Sequence, residues 1–124
     1  MKLVADLLVA LVALEHVGFL VLEMFLWNTR TGMRVFGLSE SFARESASLA
    51  ANQGLYNGFL AAGLVWGLCR ARDGFPVMVF FLGCVVVAGI FGAVTAKASI
   101  LVVQAAPALL ALAALAASRQ GRSD

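Results

Sequence analysis

Charge is what this chain of 124 residues has least of: Asp, Glu, Lys and Arg together make up 13% of it. Soluble globular domains carry about 25%. With 62% of the residues apolar and a mean hydropathy of +0.96, too few ionic groups remain to cover a water-facing surface. A sizeable soluble domain is excluded. The nine basic residues are scattered and leave a net charge of only +2, so nucleic acid, which needs a dense basic patch, is not an expected partner. Histidine occurs once and cysteine twice. No C-x-x-C, H-x-x-x-H or Glu-x-x-His spacing aims side chains at a common ion, so no metal and no other cofactor is expected. Helix rise places Cys69 and Cys84 at depths that differ by on the order of 10 Å, beyond the reach of a disulfide. Both read as small buried hydrophobes. P-loop, nucleophile-elbow and G-x-G-x-x-G patterns are missing too, as are internal repeats.

What is abundant is apolar length. Runs over about 3–27, 47–67, 76–95 and 98–117 approach or exceed the roughly 20 residues of a bilayer-spanning helix. The chain therefore reads as all-α: a four-transmembrane-helix bundle in one integral membrane domain, 1–124. Glu15 and His16 interrupt the first run, and no A-x-A-like cleavage site follows it, so it is a retained span rather than a secretory signal. Between the first two runs, "NTRTGMRVFGLSESFARES" is too polar to cross. Met33, Val35, Phe36, Leu38 and Phe42 are too apolar for free solvent, which predicts an interfacial cap over about 29–46. In "CRARDGFP", Gly74 and Pro76 are stop and start signals between the second and third spans. Lys97 and Ser99 supply the only polar break before the fourth.

Four spans put both termini and the second junction on one side with Lys2, Arg70, Arg72, Arg119 and Arg122. The other side holds Arg30, Arg34, Arg44 and Lys97. The positive-inside rule then favours cytoplasmic termini.

The intramembrane polar residues gather in the capped half. Glu23 and Asn52 lie about four and five residues from that end of their helices, Tyr56 lies near the depth of Phe19, and His16 is one turn deeper. Lys97, Ser99 and Gln104 open the last span from the same side. Asp6 stands apart near the opposite face. At about 100° per residue, His16, Glu23 and Trp27 share a stripe within about 40°, and Glu15 points about 100° away. Asn52 and Tyr56 share a face flanked by Gln53 and Asn57. Gly54 and Gly58 form a G-x-x-x-G pair on nearly the opposite side, suited to helix packing. An ionisable group deep in hydrocarbon costs at least about 2.5 kcal/mol on insertion scales, which makes Glu15, Glu23 and His16 candidate proton-linked residues. Asn52, Gln53, Tyr56 and Asn57, with Trp27 and Gln104, are the candidate ligand-binding groups. Trp27 and Trp66 also suit an interfacial aromatic belt, and Asn or Gln in a membrane helix also serves as interhelical glue.

The segments "LVALEHVGFLVLEMFLW", "RVFGL", "LAANQGLYNGFLAAGLVWGL" and "ILVVQAAPALLALAAL" resemble a widespread group of small bacterial four-span membrane proteins classed as a domain of unknown function. The resemblance covers nearly the whole chain and is most specific in "NQGLYNGFLAAGL". It implies the four-span fold and a bacterial inner, or plasma, membrane, and it brings no catalytic residues with it.

Two function classes fit these residues. One is binding or transport of a small amphipathic or cationic molecule, with Glu23 exchanging proton for ligand, His16 tuning it, and Asn52 and Tyr56 orienting the ligand. Chain size and the position of Glu15 are similar in layout, though not in motif, to small multidrug-resistance transporters. The other is a membrane enzyme, such as an isomerase of a lipid-like substrate, using His16 and Glu23 as an acid/base pair. A structural accessory role is the third reading. Membrane lipids are expected partners. Transport by so short a chain would require a homo-oligomer, for which the Gly54/Gly58 face is available.

Overall fold

The computed structural model describes residues 1–70 and 72–120. Arg122, counted above in the charge balance, lies outside them. Every regular element among the described residues is helical: α1 (Lys2–Met24), α2 (Arg30–Phe36), α3 (Glu40–Glu45), α4 (Ala47–Cys69), α5 (Gly74–Thr95) and α6 (Ala106–Gln120), the last preceded by a π-helical turn at Leu101–Ala105. Three stretches, Lys2–Met24, Gly74–Thr95 and Leu101–Gln120, are long and apolar enough to cross a membrane. At 23 residues α4 matches α1 in length, but the amides and phenol of Asn52, Gln53, Tyr56 and Asn57 keep it outside that set. Its first half is polar, its second half apolar.

The chain packs as two compact units, one formed by Met1–Ala13 with the chain from Ala62 onward, the other by Leu14–Ala61. In the first unit the helices are apolar all round, so hydrophobic periodicity cannot decide which face turns inward. Small residues decide it. Gly67 lies against Met78 and Gly74, and a Cβ on Gly89 would come within 2.9 Å of the Ala105 Cβ. Met78, Leu82 and Val85 on α5, and Ala105, Ala108, Ala111 and Leu115 across from it, form the buried seam. Without a hydrophobic force between helices in lipid, close approach at Gly and Ala supplies the contact energy. Ala96 and Lys97 N–H both donate to the Gly92 carbonyl (2.9 and 3.1 Å), ending α5. The π turn has a packing reason: Ile100 touches Gly92 while Ala105 touches Gly89. In a regular α-helix two residues five apart point about 140° away from each other. The wider π turn brings both towards α5.

In the second unit, Thr29 caps α2 by accepting the Gly32 N–H (3.3 Å), and Gly37 closes it in the left-handed region at φ 68°. Ser39 caps α3 by accepting the Phe42 N–H (3.3 Å). Trp27 anchors the segment: its indole N–H donates to Ser46 Oγ at 3.0 Å, and its ring lies 4.8 Å from that of Phe36. A Cβ on Gly32 would collide with the backbone carbonyls of Leu26 and Trp27. Gly32→Ala is therefore expected to cost about 1–3 kcal/mol and to speed amide exchange throughout α2 and α3. Wild-type exchange rates there would show that the segment yields without penalty.

Candidate functional site: a carboxylate and carboxamide pair

The site lies within the second unit, where the last half of α1 meets the first half of α4. Two glycines set the spacing. A Cβ on Gly54 would come 2.7 Å from Met24 Cγ and 3.0 Å from Glu23 Cβ, and one on Gly58 would come 2.7 Å from Leu20 Cδ1. Their absence brings the helices together, and Asn57, beside Gly58, is carried over Glu23. The Asn57 amide donates to Glu23 Oε2 at 2.7 Å, with Asn57 buried and Glu23 half-buried. Such interhelical bonds contribute about 0.6–2 kcal/mol in membranes.

Further along α1, Glu15 Oε2 is buried and has no hydrogen-bond partner among the described residues. A buried polar atom left this way costs about 1–3 kcal/mol or more if charged, so it calls for an explanation. His16 is fully buried, with its ring edge-on to Phe19 at a centroid distance of 5.4 Å. Trp27 is engaged by Ser46 and Phe36, as described above.

Asn52, expected beside Glu23, is exposed instead, as are Gln53 and Tyr56. The cause is angular. Asn52 lies about 160° around the helix from Gly54, whereas Asn57 lies about 60° from it. Once the glycine face turns to α1, Asn57 comes with it and Asn52 points away. That contact also occupies the Gly54/Gly58 face, which the sequence left available to a second copy. Gln104 is half-buried in the π turn of the other unit. Cys84 is half-buried and Cys69, the last residue of α4, is exposed, which corrects the expectation of two buried thiols. Among the described residues no three His, Cys, Asp or Glu side chains gather as a metal-ligand set.

Helices of membrane-spanning length and composition, together with a polar pair inside apolar sequence, define an all-helical protein of the membrane type. Residues 10–116 match the family described as "Protein of unknown function (DUF1304)", and the chain belongs to that family. The uncharacterized protein YpaA of Lactococcus lactis subsp. lactis (strain IL1403) is 31% identical over 114 residues, covering 90% of this chain and 96% of that protein. No solved structure matches the chain.

Proposed function

We propose that this is a four-span protein of the bacterial inner membrane, with cytoplasmic termini and the 29–46 segment as an interfacial cap, that binds a small cationic or amphipathic molecule at Glu23 and moves it in exchange for a proton. The observation that carries the reading is the Glu23–Asn57 hydrogen bond inside a helix apolar enough to span. A carboxylate in hydrocarbon is costly, and a single neutral amide offsets only part of that cost. An organic cation would offset the rest. Glu15, two turns away on α1 with an unpartnered oxygen, is a second station for the same cation. The length of α4 supports its assignment as the fourth span. Its outward Asn52, Gln53 and Tyr56 need hydrogen-bond partners in lipid, and a second copy of the chain supplies them. The enzyme reading is weaker, because an acid/base His16 would have to reach substrate and the ring is fully buried.

The test is mass spectrometry of whatever copurifies with the protein in mild detergent. The expected result is an organic cation or cationic amphipath, present with wild type and lost from Glu23→Gln. A neutral compound retained equally by both proteins would overturn the reading.

A further inference from the structure

We propose a second binding site, for an organic phosphate, at the end of the first unit where α1 begins, α4 ends, α5 begins and α6 ends. It shares no residue with the Glu23 pair. A cavity of about 860 Å³ opens there, within the range of small-molecule pockets of about 300–1,000 Å³ and far larger than a bare phosphate ion needs. Among the described residues, four cationic side chains line it, Lys2, Arg70, Arg72 and Arg119, against two carboxylates, Asp6 and Asp73. Both carboxylates are already engaged: Lys2 Nζ lies 2.7 Å from Asp6, and Arg70 lies 3.5 Å from Asp73. Arg72 and Arg119 have no ion pair among the described residues, so among those residues the cavity holds two cations in excess. The Arg119 guanidinium lies 4.5 Å above the Phe75 ring, which holds it by a cation–π contact and leaves its N–H edge for an anion.

Two further features point to phosphate rather than to a charged surface in general. The first turn of α5, through Gly74, Phe75 and Pro76, lines the cavity, and Asp73 makes no side-chain cap there, so the positive end of a 22-residue helix dipole borders the site. Below the charges the wall is apolar, formed by Phe75, Val79, Phe80 and Leu115. Arg70 stacks over Trp66 at 5.5 Å at the same end, an arrangement suited to a membrane–water boundary. A glycerophosphate fits this division, with phosphate at Arg72 and Arg119 near the start of α5, and any acyl chain along the apolar wall.

The experiment uses the full chain in nanodiscs and native mass spectrometry. With phosphatidylglycerol and phosphatidylcholine at equal amounts, wild type is expected to retain the anionic lipid in about tenfold preference, as two charge-assisted Arg contacts allow. The double variant Arg72→Gln/Arg119→Gln is expected to approach parity, and Arg44→Gln, on the other unit, to behave as wild type. Arg72→Lys/Arg119→Lys keeps the charge and serves as the folded comparison, with intermediate retention. A second arm adds glycerol 3-phosphate to protein in neutral detergent and follows tryptophan fluorescence. A response lost in the double Gln variant identifies a soluble phosphate source. No response, alongside lipid preference in the first arm, identifies the lipid. Equal retention of the two lipids by wild type with no glycerol 3-phosphate response would overturn the proposal, as would an unchanged preference in a helical, monodisperse double Gln variant.

Discussion

Glu23→Gln is expected to leave the protein folded and to flatten the pH dependence of ligand binding. Gln keeps the shape of Glu23 and an oxygen to accept from Asn57 at the present 2.7 Å separation, so the α1–α4 contact survives. What it loses is the titration. For a cationic ligand the anionic carboxylate is the binding form, so wild-type affinity should rise as pH increases through the titration of Glu23 and then level off. The variant should show no such rise, with affinity at high pH lower by about ten- to a hundredfold, the span of one hydrogen-bonded charge. Glu15→Gln should change the profile less, because Glu15 lies about 12 Å along α1 and about 80° around it, out of reach of a small group seated at Glu23. Binding isotherms against pH for the three proteins decide the matter. A Glu23→Gln profile that superimposes on wild type would make the pair an interhelical bond and nothing more.

The largest loss of stability is expected from Gly54→Leu. The new side chain would meet Glu23 Cβ and the Leu20 carbonyl as well as Met24, and backbone cannot turn aside as a side-chain tip does. Overpacking of this kind costs about 1–3 kcal/mol, and parting the helices leaves the Asn57 amide unsatisfied for about 1–3 kcal/mol more. Gly58→Leu meets only the flexible end of Leu20 at short range, so its cost should be clearly smaller. Gly18→Ala, with nothing within 4 Å of the added atom, should be neutral or slightly stabilising. Denaturant titration in detergent would rank the three. Equal losses for Gly54→Leu and Gly58→Leu would mean that the backbone contact does not set the helix spacing.

The helical class and the places where helices lie were legible because apolar run length and Gly or Pro punctuation are local properties. Pro76 and Gly74 open α5, and the break near Lys97 falls between α5 and the π turn. Which face turns inward was not legible from polar periodicity. On α4 the polar residues cover much of the circumference, and depth matched Asn52 to Glu23, so Asn57, whose amide makes the bond, stood only as a flanking group. The deciding signal was the glycine pair, since helices in lipid pack closely where their facing residues are small. Asn57, enclosed between Gly54 and Gly58 in register, is the residue such a reading selects. The basic cavity escaped for a different reason. Lys2, Arg70, Arg72 and Arg119 were counted as charges on one side of a membrane, and nothing in a count brings residues 2, 70, 72 and 119 around one opening.

The π-helical turn at Leu101–Ala105 makes the last helix unusual in how it tolerates changes of length. Deleting a residue from the middle of a membrane helix ordinarily rotates everything beyond it by about 100° and turns a buried seam outward. A π turn already carries a surplus residue. Removal of Val102 would let the stretch relax to an ordinary α-helix with Ala105, Ala108, Ala111 and Leu115 still set against α5, and the change would be confined to the short turn before it. Related chains one residue shorter at this point can therefore keep the same α5–α6 seam, and an alignment gap there need not mark a change in how the helices pack.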